Sequence, residues 1–312
     1  MAGPLGWKAA AFVQTYKRGL LAAACAGLFA ANVSYHLLPD RTLRPIYQYW
    51  PQGRPARLPE ALRGRFQEVL RDAGLEAAGR GYRAFAAFSF FPVSAGFPWL
   101  PGGALVGIPA SFQSAPEPDG PSLVARGLTV DWRSRDGAAL KDALTLSPDA
   151  QKFALAREVL SAQGGHAALR ALPAPVCLAG TCLGAVAAKQ ALGLYAGPRV
   201  LRGLCNVVVW ALGFVAYSLS CDALTHFLEY RLDRNTAAIS AGYARGGLEF
   251  YDKILACNRS LRSLMGKRGE ELYAPSGNLF PRHWFRIKHA PYTSRRDRIK
   301  GTLGTAPGSG TC

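Results

Sequence analysis

Four short pieces of the 312-residue chain carry side chains of kinds that do chemistry, and they occur in a fixed order. Leu100-Pro101-Gly102-Gly103 leads into the strand-like Ala104-Leu105-Val106-Gly107-Ile108. Ala156-Arg157-Glu158-Val159-Leu160-Ser161 lies in a helix opened by Leu146-Ser147. Glu229-Tyr230-Arg231-Leu232-Asp233-Arg234 comes third, and His289-Ala290-Pro291-Tyr292-Thr293-Ser294-Arg295-Arg296 comes last. His226 and Glu229, three residues apart, share a helix face, but two ligands are too few for a catalytic metal. Outside these pieces there is no Gly-rich phosphate loop and no internal repeat. The seven Cys contain no CxxC pair, which argues against a zinc ribbon, a thioredoxin motif or a dense disulfide scaffold. Cys25, Cys177, Cys182 and Cys205 lie in apolar runs, where a free thiol acts as a small hydrophobe.

These pieces must be positioned by a chain that is 49% hydrophobic and only 18% charged, a composition that excludes intrinsic disorder. The net charge of +17 is spread rather than gathered into one stripe, so nucleic acid is not an expected partner. The one dense basic run, Arg295, Arg296, Arg298 and Lys300, reads as a solvated tail.

Three apolar stretches have the length needed to cross a bilayer. Residues 19–38 follow a basic, acid-free N-terminus at 1–18. An uncleaved anchor fits them better than a cleavable signal, because Tyr35 and His36 spoil a small-residue cleavage site. Residues 174–194 and 203–221 form a helical hairpin around Gly197-Pro198-Arg199. Lys189 is near enough to the end of its span to snorkel, and Asn206 is placed to hydrogen-bond between helices. The basic, acid-free flanks at 1–18 and 195–202 belong together on the inner side. The segments 39–172 and 222–312 then share the other side and pack as one domain.

Residues 84–116 lack any charge, yet Pro92, Pro98, Pro101 and Pro109 exclude a span; the stretch reads as buried short strands and turns. Residues 58–76 read as an amphipathic helix with Leu62, Phe66, Val69 and Leu70 on one face and Gly74 at its end. Ser147 and Pro148 open a second helix that runs to Gly164. Asp222 is placed to cap a third, broken at Gly246-Gly247. A fourth follows, and the chain after Gly266 reads as loop. The expected fold is an α+β membrane protein with three transmembrane helices and a mainly helical soluble domain.

The order of the four pieces resembles membrane zinc metallopeptidases of the HtpX and CAAX-prenyl-protease kind. Those carry an LPGG-strand, HExxH on a helix, an ExxxD helix and a late segment near an Arg. The resemblance implies a degenerate metallopeptidase fold, with Arg157, Glu158, Ser161, His226, Glu229 and Asp233 as a remnant site. HExxH needs two imidazoles at i and i+4; Arg157 and Ser161 stand there instead. Glu158 keeps the base position and Glu229 the third-ligand position. No metal, no cofactor and no catalytic residue is therefore expected. Arg157 brings a permanent charge and a carboxylate-matching fork. It either replaces the metal as counter-charge to Glu229, or it pairs locally or faces solvent.

Over its whole length the chain also resembles the transmembrane protein 177 family. The strings that carry this are Ala11-Phe12-Val13-Gln14, Tyr47-Gln48-Tyr49-Trp50-Pro51-Gln52-Gly53, Pro92-Val93-Ser94-Ala95-Gly96-Phe97-Pro98, Gly107-Ile108-Pro109-Ala110-Ser111-Phe112, Val130-Asp131-Trp132-Arg133-Ser134, Gln151 to Val159, Pro281-Arg282-His283, and Phe285-Arg286-Ile287-Lys288-His289. The resemblance implies a multi-pass protein of the mitochondrial inner membrane. It implies a role in cytochrome c oxidase assembly, stabilising newly made subunit 2 together with its assembly chaperone. A membrane metallopeptidase and a small-molecule carrier component are the alternatives. The aromatic stretch 88–101 with Tyr47, Tyr49 and Trp50 is either a partner surface or core and interfacial packing. Asn32-Val33-Ser34 and Asn258-Arg259-Ser260 match glycosylation sequons.

Overall fold

A computed structural model describes residues 4–76, 81–113, 124–125, 128–281 and 286–304. Arg282, His283 and Phe285 of the family strings, and residues 114–116 of the uncharged stretch, lie outside the described residues. The chain divides into two compact units, residues 1–34 with 167–224 and residues 35–166 with 225–312.

The first unit is built from α1 (Pro4–Leu37), α7 (Pro173–Ala191) and the first half of α8 (Arg199–Ala237). Three helical segments, Thr15–Leu37, His166–Ala191 and Arg199–Ala237, are long and apolar enough to cross a membrane. Leu28, Val176, Leu183, Val207, Leu212 and Phe214 are exposed on these helices, as lipid-facing side chains must be. Lys189 Nζ donates to Asn206 Oδ1 at 3.0 Å, so the lone charge of the hairpin finds its partner on the next helix. A Cβ at Gly213 would lie 2.1 Å from Thr181 Oγ1, so only glycine allows that crossing. At about 1.5 Å per residue, α8 is far longer than a hydrocarbon core of about 30 Å. Its uncharged stretch ends at Cys221, and Asp222 lies within the helix rather than capping a new one.

The second unit packs helices on a small mixed sheet of β1 (Tyr82–Ala87), β2 (Val93–Gly96) and β3 (Ala104–Pro109), in the order β1-β3-β2. β1 runs parallel to β3, with Tyr82 opposite Ala104, and β2 runs antiparallel, with Val93 opposite Gly107. Every residue of the central β3 is buried. Its alternation serves two cores: Ala104, Val106 and Ile108 enter the main one, while Leu105 enters a second with Leu43, Phe85 and Ala95. The short pair β4 (Val124–Ala125) and β5 (Leu128–Thr129) is separate.

α2 (Pro39–Tyr47) follows α1 after Leu38, and its Leu43 enters the second core. α3 (Glu60–Asp72) buries Leu62, Phe66, Val69 and Leu70 on one face. α4 (Arg135–Leu144) is capped by Ser134, whose Oγ accepts from Gly137 N. α5 (Pro148–Gln163) is capped by Ser147, whose Oγ accepts from Ala150 N and donates to Glu249. α6 (His166–Ala171) is short. α9 (Ala241–Leu264) lies against α5, and the two share Phe153, Phe250 and Tyr251 in one core.

Two expectations fail here for one reason each. Gly246-Gly247 does not break a helix; the break falls at residues 238–240, with Ser240 capping α9. A Cβ at Gly246 would lie 2.3 Å from the Asp149 carbonyl oxygen, and one at Gly247 2.7 Å from the Phe153 ring. The glycines are there so that α5 and α9 can approach, and tertiary packing outweighs their poor helix propensity of about 1 kcal/mol. The chain after Gly266 is not all loop: α10 (Lys267–Leu272) and α11 (Tyr292–Gly304) lie within it. α11 is helical because Ile299 and Tyr292 dock on the main core.

Candidate functional site

α5 presents Arg157 and Glu158 toward the end of α8 that belongs to the second unit, where Glu229 and Asp233 stand one turn apart. α9 contributes Tyr251, α11 contributes Arg295, and the residues before α11 contribute His289 and the Ala290 amide. All of these lie outside the uncharged membrane stretch 203–221.

Asp233 is the hub. Its Oδ1 accepts from Arg157 Nε at 2.9 Å, Arg295 Nη2 at 2.8 Å and the Tyr251 hydroxyl at 2.7 Å. Its Oδ2 accepts from Arg295 Nε at 2.6 Å. Four donors thus engage its two oxygens, three of them on Oδ1. Arg295 also stacks on Tyr251, with Cζ 4.9 Å from the ring centre. Glu229 serves a second set: Oε1 meets His289 Nδ1 at 2.9 Å, and Oε2 accepts from Ala290 N at 2.9 Å with Arg295 Nη1 3.7 Å away. An ionised carboxylate only accepts, so His289 Nδ1 carries the proton. Side-chain exposure is 3% for Asp233, 4% for Arg295 and 5% for Glu229.

Burial alone would push the Glu229 carboxyl up. The His289 hydrogen bond, the Arg295 charge and the Ala290 amide outweigh it and hold the group at about 2. Burial likewise opposes ionisation of Asp233, and the charges of Arg157 and Arg295 reverse that and lower it. Desolvation pushes the Tyr251 hydroxyl well up, so it remains a donor.

The expected site residues are therefore only partly brought together. Arg157 pairs with Asp233 rather than with Glu229, whose oxygens meet His289 and the Ala290 amide. Glu158 accepts from Ser94 Oγ of β2 at 2.6 Å and lies 3.6 Å from Arg157 Nη1, so it binds the sheet to α5. Ser161 is half-buried with no side-chain hydrogen bond among the described residues. His226 packs edge-on to Tyr230, ring centres 6.5 Å apart, with Nε2 buried and unbonded. Among the described residues no three His, Cys, Asp or Glu side chains are grouped to hold a metal ion.

Arg295 is the largest correction. The basic run was expected to be a solvated tail, but this residue is buried at the hub while Arg296 reaches the surface acids Asp252 and Asp297. Arg298 lies 3.5 Å over the Tyr230 ring. Its three-residue offset from Arg295 signals a helix with a packed face. Tyr251 gave no signal beyond a helical apolar spacing. Asn258 of the second sequon is buried, its Nδ2 donating to Gly277 O at 2.7 Å, so it has a structural role. Of the aromatic stretch, Phe97 is buried while Phe88 and Trp99 are exposed.

A family model described as Transmembrane protein 177 matches residues 122–283. Transmembrane protein 177 of Rattus norvegicus is 56% identical over 300 residues, covering 96% of each chain. The chain belongs to the transmembrane protein 177 family. The Homo sapiens member is 57% identical over 301 residues, with 96% of each covered, and the Danio rerio member is 49% identical over 300. No solved structure matches the chain. The family match takes in Arg157, Glu229, Asp233 and Tyr251 of the cluster and ends before His289 and Arg295. None of these matches is to a metallopeptidase.

Proposed function

We propose that this family member is a non-catalytic assembly factor of the mitochondrial inner membrane. It holds newly made cytochrome c oxidase subunit 2, together with its assembly chaperone, during respiratory complex IV biogenesis. The family resemblance supplies the partners and the compartment. The observation that carries the non-catalytic part is the engagement of both Asp233 oxygens by Arg157, Arg295 and Tyr251. Arginine stays protonated in proteins and cannot relay a proton, and a buried carboxylate held by two arginines and a hydroxyl is ill suited to act as base or ligand.

The same cluster supports reading the second unit as a metallopeptidase-like fold that has exchanged its ligands for ion pairs. Arg157 stands at the first ligand position, and α5 and α8 meet there through Asp233. In the membrane, residues 1–18 and the 195–202 turn lie on the matrix side and the C-terminus in the intermembrane space, as their basic flanks direct.

Co-purification tests the function. Subunit 2 is expected with the wild-type protein and, undiminished, with Glu158→Gln. Loss of assembly by Glu158→Gln at normal abundance, or stoichiometric zinc in the purified protein, would favour a peptidase instead. Solute flux in liposomes would favour a carrier.

A further inference from the structure

α2 begins two residues after α1 ends, so chain connectivity keeps it at the end of the first membrane segment. Between α2, the start of α3 and β1 lies an open cleft of about 350 Å³. Arg44, Arg63 and Arg83 line it, and Leu58 with the buried Phe66 and Phe85 forms an apolar floor. Two acids serve these three cations. Asp40 pairs closely with Arg83 at 2.5 Å and stands 3.7 Å from Arg44, and Glu60 reaches Arg63 at 3.4 Å with both side chains more than half exposed. An exposed pair of that kind holds its arginine weakly. The surrounding segment is also basic: residues 40–66 hold six arginines and two acids. Arg41, Arg54 and Arg57 are exposed there, and their side chains make no ion pair or hydrogen bond among the described residues. On the same stretch Ile46 is 66% and Trp50 54% exposed, the residue types that settle at a bilayer surface.

We propose that this cleft binds the headgroup of an anionic phospholipid. Arg44 and Arg63 take the phosphate, whose oxygens match the guanidinium fork. The apolar floor receives the glycerol and upper acyl carbons, and the rest of the lipid stays in the bilayer that α1 leaves. The floor and the tether to a membrane helix favour a lipid over a free phosphate, which needs neither.

The test uses the full chain in a neutral detergent, with native mass spectrometry counting bound phosphatidylglycerol or phosphatidylcholine. Phosphatidylglycerol adducts are expected to dominate. Arg44→Gln with Arg63→Gln should weaken them by roughly fivefold per arginine, while Arg44→Lys with Arg63→Lys should keep most of the binding. Inorganic phosphate at the lipid concentration should not displace the lipid. Equal binding of the two lipids, unchanged binding in the Gln variant, or displacement by inorganic phosphate overturns the proposal. Should that variant unfold, Arg44→Gln and Arg63→Gln are made singly, and undiminished binding in both folded single variants overturns it equally.

Discussion

Arg295 grips Asp233 through two parallel hydrogen bonds, Nε to Oδ2 at 2.6 Å and Nη2 to Oδ1 at 2.8 Å, with both side chains removed from water. Removing one partner of a buried pair costs about 3–5 kcal/mol, because the other charge is left uncompensated. Arg295→Ala is expected to lose that much, read as a fall in melting temperature in detergent and in abundance in cells. Arg295→Lys should recover only part, since a lysine offers no planar fork. Arg296→Ala, on the exposed neighbour, should cost under about 1 kcal/mol. Similar losses at both positions would mean that α11 is held by its apolar residues alone.

Acid should unfold the second unit in a defined window. Glu229 is held at about 2 against an ordinary 4.5. A carboxyl lowered on folding gives its full stabilisation above the ordinary value and loses it as pH falls through the folded one. A shift of this size corresponds to roughly 3 kcal/mol, lost between those two values. Asp233 is lowered too and acts in the same direction. Denaturant unfolding measured across that window should steepen with acid in the wild type and flatten in Glu229→Gln. An equally steep profile in the variant would assign the effect elsewhere.

The contact of α5 with α9 should not tolerate a methyl. Gly247→Ala places a carbon 2.7 Å from the Phe153 ring, and such overpacking costs about 1–3 kcal/mol. Phe153→Leu in the same chain should relieve part of that cost, so the double variant should be more stable than the sum of the singles. Gly246→Ala meets backbone at Asp149 and should have no such rescue.

In the membrane hairpin, Lys189 and Asn206 should be energetically coupled. Interhelical polar pairs in bilayers contribute about 0.6–2 kcal/mol. A double-mutant cycle with Lys189→Met and Asn206→Leu, measured by detergent unfolding, should return a coupling of that size. No coupling would mean that the ammonium lies at the interface instead.

How much of this could be read in advance follows from what kind of pattern each element leaves. α3 was legible because Leu62, Phe66, Val69 and Leu70 recur at helix spacing beside charged residues. The hairpin was legible because lipid permits no charge on its faces. Gly246-Gly247 misled because glycine's local preference is visible in sequence, whereas the helix it must admit is not. The partner of Arg157 was ambiguous for a geometric reason: Glu229 and Asp233 share one face of α8, and the residues that choose between them, His289 and Arg295, arrive from about sixty positions later. Arg295 was taken for surface because a basic run has the same composition whether one of its members turns inward or none does.

The hub around Asp233 also sets an order in time. Arg157 and Asp233 are separated by 76 positions, and Arg295 follows Asp233 by 62 more. A ribosome therefore delivers the acid long before its second cation. In the interval Asp233 has an oxygen without its fork and Glu229 lacks both His289 and the Ala290 amide. A chain ending before His289 consequently leaves both carboxylates without the cation that α11 brings. The cluster is therefore closed only by a chain that extends through α11.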